Sequence, residues 1–332
     1  MVDRSVVSRS HPGLWSVIWS ACLAMLPLSG CATVNLKKVA ITSMSVSLPK
    51  ASGIAPGEKQ SLAVSMTEPN GKVLSTQANT GDGRISWNDL NVAATVVKAG
   101  KKGKVSLPAD PRVSDGKLPH IAVTAASHPD LHAQLDIPIR YDRKFNASFS
   151  GPSGQNGSDG MNGSDGISGS MGSMDPNNPS PGGNGSNGTS GTPGSNGWPG
   201  GDGPAVQVRV ALKSGSHPLL QVSASAQGRV TFFLVDPQGG SLTVASEGGP
   251  GGSGGRGGRG GRGGSGGIGT PNGMNGSDGF NGSDGMDGPS GRGGSITVVY
   301  DPQTQPFLGA IDLSNTGGPR PVFIEQPVAA LW

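Results

Sequence analysis

Residues 256–262 place arginine at every third position, Arg256, Arg259 and Arg262, and residues 278–287 carry Asp278, Asp284 and Asp287 in the same rhythm. Opposite charges at a shared period suit ion pairs between neighbouring segments, so these rows are expected to face each other. Three arginines are too few for a nucleic-acid footprint, which needs a clustered basic surface, and the net charge is only +3. The aspartates belong to "NGSDG" units at 156–160, 162–166, 275–279 and 281–285. Clustered oxygen ligands suit calcium, yet residues six apart in an extended arm of three residues per turn lie about 19 Å apart. One ion cannot join them, and the spacing matches neither an EF-hand loop nor a nine-residue calcium repeat. His128 and His132 have the spacing of helical metal ligands, but Pro129 and the strand-like run that follows remove the helix. "GGSGG" at 251–255 and 263–267 matches the nucleophile elbow through glycine density alone, without the strand and helix that chemistry requires. No phosphate loop, zinc-ligand cluster or His-centred triad is visible. The expectation is a protein that is not an enzyme, with no catalytic residue, no metal and no cofactor.

One cysteine has a context of its own. Arg4 and Arg9 precede the apolar run "LWSVIWSACLAMLPL" at 14–28, and Ser29, Gly30 and Cys31 follow. A basic start, a short apolar stretch and small residues at its end are the marks of a secretory signal at 1–30 rather than a membrane span. "LSGC" resembles the lipobox of bacterial lipoproteins, with Leu28, Ser29 and Gly30 read by the signal peptidase and Cys31 as the lipidated residue. The resemblance implies a diacylglycerol thioether, cleavage before Cys31 and acylation of the new N-terminus. Several acyl chains anchor far more firmly than one, each buried methylene adding about 0.8 kcal/mol. Ala32, rather than Asp, follows the cysteine, which in a Gram-negative bacterium implies sorting to the outer membrane. Cys22 falls in the removed segment, so the mature chain has no pair for a disulfide and depends on packing.

After a linker at 31–35, residues 36–145 read as short alternating runs, among them "SLAVSMTE", "VAATVV", "HIAVTAAS" and "AQLDIPIRYD", separated by turn signals "PNG", "GDG" and "SDGKLP". About eight short strands predict an all-β sandwich, similar to bacterial immunoglobulin-like modules in length and rhythm, with Trp87 in its core. Lys98, Lys101, Lys102 and Lys104 mark a basic hairpin tip, solvated or touching anionic lipid headgroups.

Beyond Gly151 the chain changes character. Glycine, 59 residues in all, occupies every third position in four stretches of eight: 151–172, 182–203, 248–269 and 273–294. A period of three is that of the polyproline II helix, whose rise of about 3.1 Å per residue makes each arm on the order of 70 Å long. The bare row lets another backbone approach, and the polar groups so buried must find partners. The expected structural positions are Gly151, Gly160 and Gly172 of the first arm, Gly182, Gly194 and Gly203 of the second, Gly248, Gly258 and Gly269 of the third, and Gly273, Gly285 and Gly294 of the fourth.

A collagen-like triple helix is one way to meet that demand, and a self-folded polyglycine II bundle is another. Equal arms joined by short Pro/Asn turns, few prolines, and rows of unlike polarity favour the bundle. The last arm pairs Met274, Phe280 and Met286 on one row with Asn275, Asp278 and Asn281 on another. In this geometry the chain resembles proteins built on polyglycine II bundles, such as the snow flea antifreeze protein and phage tail-fibre adhesins. The third arm has glycine in two of its three rows and is expected innermost.

Residues 204–247 and 295–332 contain further strand-like runs and are expected to form a second β-unit carrying the arms, which occupy 150–203 and 248–294. Together these patterns predict an outer-membrane, lipid-anchored lipoprotein with a structural or adhesive role, or a binding module presenting polar rows to glycan. Its partners would be membrane lipid through acylated Cys31 and an envelope polysaccharide or protein, and no nucleic acid. A monomer is favoured, or a trimer if the arms are collagen-like. The Asn-Gly-Ser and Asn-Gly-Thr sites at Asn156 and Asn187 are incidental in such a protein.

Overall fold

The computed structural model describes residues 33–77, 81–215 and 217–332. Leu28, Ser29, Gly30 and Cys31, on which the anchoring expectation rests, lie outside the described residues. The chain is all-β, as its alternation predicts.

In the first unit, β1 (Ser43–Ser47), β3 (Ala63–Thr67), β4 (Val73–Ser75) and β5 (Gly83–Arg84) form one sheet. A second joins β10 (His128–Asp136), β9 (His120–Ala125) and β6 (Leu90–Thr95), and a third joins β2 (Lys59–Ser61), β8 (Lys104–Ser106) and β7 (Lys98–Ala99). The pair of facing sheets expected from the strand rhythm is thus divided into three. Alternation sets what is inside: in β9, Ile121, Val123 and Ala125 are buried while their neighbours are half-exposed. Ile54, Met66, Leu74, Ile85, Ile121 and Ile137 fill the centre. Trp87 is half-buried at the rim of this core, its ring held against Gly103, where a φ of +68° and the absence of a side chain admit it.

The second unit begins earlier than the sequence pattern suggests. β11 (Lys144–Ser150) turns Ala147 and Phe149 inward and pairs in parallel with β15 (Ser241–Glu247), so it belongs to the second core, not the first. β17 (Ile311–Ser314) pairs in parallel on the other side of β15. The second sheet has the order β14 (Arg229–Val235), β13 (Leu219–Ala226), β12 (Val206–Lys213), β16 (Ile296–Tyr300) and β18 (Val322–Glu325), with β12, β16 and β18 parallel. Val208, Val210, Leu220, Val222, Leu242, Val244 and Val298 make the shared core.

Three rounds of chain therefore stack. Each runs along the first sheet, leaves it, and returns along the second: β11 to β12, β15 to β16, and β17 to β18. The first two excursions are the glycine-rich arms: arm 1 (151–172) and arm 2 (182–203), then arm 3 (248–269) and arm 4 (273–294). The third excursion is the short loop 315–321. It closes the base of arm 4, where the Gly293 amide donates to Thr316 O at 2.8 Å and Asn315 Nδ2 to Gly294 O at 2.9 Å.

Candidate functional site

The strand ladders do not stop where the arms begin. β11 pairs with β15 up to Ser150 and Glu247, and the next amide, Gly151, donates to Glu247 O. Every third amide of arm 1 then donates to arm 3, from Gly154 to Pro250 O through Gly172 to Ile268 O, at 2.7–2.8 Å. Arm 2 donates to arm 4 in the same way, from Gly185 to Met274 O through Gly203 to Arg292 O. Further ladders join arm 2 to arm 1, arm 3 to arm 2 and arm 4 to arm 3, for example Thr192 N to Met161 O, Gly258 N to Thr192 O and Gly282 N to Gly258 O. Arms 2 and 3 touch three neighbours each and arms 1 and 4 two, so arm 3 is inner as expected but shares that place with arm 2.

Glycine is required here by close approach. A Cβ on Gly258 would lie 1.9 Å from Met161 O, on Gly160 1.9 Å from Thr192 O, and on Gly182 2.0 Å from Gly267 O. Gly151, Gly172, Gly194, Gly203, Gly248, Gly269, Gly273, Gly285 and Gly294 likewise face backbone atoms closer than any Cβ tolerates. Each obstacle is main chain, which cannot swing aside.

The side chains beside these rows finish the polar accounting. Amides at the bundle edge have no backbone acceptor, and an unpaired amide is costly. Asp278 Oδ1 accepts from Gly263 N at 2.7 Å, Asp284 Oδ1 from Gly257 N at 2.7 Å and Asp287 Oδ1 from Gly254 N at 2.8 Å. This corrects the expected ion pairs with Arg256, Arg259 and Arg262. The carboxylates turn inward to cap amides, and no ion pair joins them to those arginines, whose side chains remain exposed. On the other flank Asn156, Asp159, Asn162 and Asp165 accept from the amides of Ser253, Arg256, Arg259 and Arg262 at 2.7–2.9 Å. The near-identical "NGSDG" runs of arms 1 and 4 thus do one job on the two sides of arm 3. One proline falls where no cap is needed: in the register that pairs Asn196 with Met286, Pro199 faces Pro289, which has no amide hydrogen.

The remaining candidates lie away from the bundle. Among the described residues no cluster of His, Cys, Asp or Glu could hold a metal ion. His128 and His132 lie on β10 on either side of a register shift, and His128 Nδ1 meets Ser127 Oγ at 3.0 Å. Lys98, Lys101, Lys102 and Lys104 are all exposed. Lys102 joins Arg84, Trp87, Asn88 and Thr33 around a groove of about 490 Å³.

A cleft of about 350 Å³ lies where the two units meet, lined by Asp110, Arg112, Asn146, Arg229, Phe232 and neighbours. Two of its charges, Asp110 and Arg112, are already engaged. Arg112 lies 3.8 Å over the Phe232 ring and pairs with Asp110 at 2.7 Å; that hydrogen bond holds the Asp110 carboxyl below its usual range. Nearby, Asp115 accepts from Lys213 Nζ and from Trp332 Nε1, fastening β12 and the tail to the first unit. Burial, with the Asp115 charge adding, pushes the Tyr141 hydroxyl up to about 12. No helix among the described residues is long and apolar enough to cross a membrane. No protein-family model matches the chain, and no curated protein or solved structure matches it.

Proposed function

We propose that the chain is a lipid-anchored, non-enzymatic lipoprotein of the bacterial outer membrane, and that its arms form a polyglycine II bundle with a structural or adhesive role. The observation that carries this reading is the continuity of the backbone ladders from β11 and β15 into arms 1 and 3, and from arms 2 and 4 into β12 and β16. A projection held by main-chain hydrogen bonds along its length is stiff, and it is mounted on a conventional apolar core. Anchoring draws support from the start of the described chain. Thr33, two residues after Cys31, bridges to Arg84 and lines the groove with Trp87 and Lys102, so an aromatic and basic surface would lie near acyl chains carried on Cys31. The first unit would lie against the membrane and the bundle farther out.

Palmitate labelling and membrane fractionation of the wild type and Cys31→Ala test the anchor. Label and outer-membrane association should both vanish in the variant; an unlabelled variant that still fractionates with outer membranes would sink the proposal. A second reading, a module that binds envelope glycan through its polar rows, draws on the exposed guanidiniums of Arg256, Arg259 and Arg262, which have no carboxylate partner among the described residues. Polysaccharide arrays probed with the full chain separate the two: a folded protein that captures no glycan favours the structural role.

A further inference from the structure

The bundle has two unlike sides. Its ionisable residues between the base and the tip lie on three adjacent rows: Asp159 and Asp165 of arm 1, Arg256, Arg259 and Arg262 of arm 3, and Asp278, Asp284 and Asp287 of arm 4. The other side consists of four rows. One is the row of Met161 and Ile167 on arm 1, two are on arm 2, and one is the row of Met274, Phe280 and Met286 on arm 4. None of these four rows carries an ionisable side chain until Asp202 and Arg292 at the base.

The apolar side chains of this face are aligned in tiers. Consecutive residues of arm 2 fix the level: Thr192 N donates to Met161 O and Gly191 N to Phe280 O, so Met161 and Phe280 share a tier. Ser186 and Gly185 place Ile167 level with Met274, and Trp198 stands level with Met286, to which Gly197 donates. Between them lie tiers of small hydroxyl residues, Ser158 with Ser195 and Ser283, and Ser164 with Thr189 and Ser277. Apolar tiers recur about every 19 Å at the rise of an extended three-fold helix. They are well exposed: Ile167 is 79% accessible, Phe280 82% and Met286 71%. Some of the polar atoms on this face are already occupied. The hydroxyls of Ser186, Thr189, Thr192 and Ser195 accept amides of arm 1 at 2.7 Å, and Asn184, Asn187 and Asn196 cap amides of arm 4. Covering this face above its base therefore buries no charge.

We infer that the charge-free face of the bundle is a docking surface for a second copy of the same chain. Three apolar tiers at equal spacing, the third carried by Trp198 and Met286 with Gln155 beside them, match themselves in either direction when one copy is laid on another. The size fits as well. Arms of about 70 Å, three abreast at about 5 Å each, offer roughly 1,000 Å² per copy, above the ~800 Å² of a standard stable interface. A bilayer is the less suitable occupant. Helices that lie on membranes flank their apolar face with cations, whereas here the opposite side carries five carboxylates against three guanidiniums. The inference does not depend on lipidation of Cys31, and it replaces the monomer expected from the sequence with a self-associating chain.

Sedimentation of the full chain carrying Cys31→Ala, which removes acyl chains from the measurement, tests it. A dimer is expected whose association is not weakened by raised ionic strength. Met161→Asp with Phe280→Asp should weaken it by about 100-fold, and the milder Met161→Gln with Phe280→Ser should weaken it less. Both variants should keep the wild-type circular dichroism, because neither side chain packs inside the bundle. Arg259→Glu on the charged side should leave association unchanged. A chain that stays monomeric at all concentrations, or a dimer indifferent to both double variants, overturns the inference. So does a monomer that binds phosphatidylglycerol vesicles or arrayed polysaccharide through Met161 and Phe280, since that assigns the face to another occupant.

Discussion

In the first β-unit the buried positions are Ile54, Met66, Leu74, Ile121 and Ile137; in the bundle they are glycines such as Gly252, Gly255, Gly258 and Gly261, while Met161, Ile167 and Phe280 stand in solvent. The first region is held by apolar area removed from water, with backbone pairing confined to short strands. The second inverts this order. Its interior is main chain against main chain, its stability rests on hydrogen bonds repeated along four arms, and its side chains serve the edges. Removing atoms should therefore damage the first region, and adding atoms should damage the second.

The sharpest break is Gly258→Val. With Met161 O only 1.9 Å from the added Cβ, the arms should lose their protected amides altogether, at a cost of at least about 4 kcal/mol. Gly309→Ala, which meets nothing within 4 Å, should be silent in the same hydrogen-exchange experiment. Equal tolerance at both glycines would undo the account of the bundle.

Ile121→Ala tests the other region. A fully buried isoleucine in a conventional core should cost about 2–5 kcal/mol by urea unfolding of the first unit, with the amides of the arms still protected. Loss of arm protection as well would show that the two regions are not independent.

A smaller effect separates caps from ion pairs. Asp278→Ala leaves the Gly263 amide without its acceptor and should cost about 1 kcal/mol. Arg259→Ala should fall within about 0.5 kcal/mol of wild type, since its side chain forms no ion pair among the described residues. If the arginine variant proves the more costly, the capping assignment is wrong.

The smallest effect concerns the junction of the units. Because the folded state raises Tyr141 from 10 to about 12, its contribution is complete below pH 10 and is lost as the pH rises toward 12. Allowing for solvent screening, the loss should be under about 1 kcal/mol. Tyr141→Phe should remove that alkaline slope from a series of urea titrations.

Much of this was legible from spacing. Alternation located β9, β12, β13 and β15, and glycine counting located the arms, because both patterns are local and repeat within one element. The strand β11 carries the same signal in Phe145, Ala147 and Phe149, but it abuts the first glycine row and is short of turn residues on its N-terminal side. The arginine and aspartate rows misled for a different reason. Their period was read correctly, but a period cannot say whether a carboxylate faces a guanidinium or an amide.

By itself, then, the sequence determined which residues lie on which row, how many arms there are, and that one row of each must meet another backbone, since periodicity and the missing Cβ are properties of a few consecutive residues. Only the tertiary structure decided which arms are neighbours. That choice made the "NGSDG" runs amide caps, gathered the charges on one side, and set the armless round of β17 and β18 against the base of arm 4. Those relations join residues up to 97 positions apart, and they depend on the stacking of three rounds of chain on two sheets.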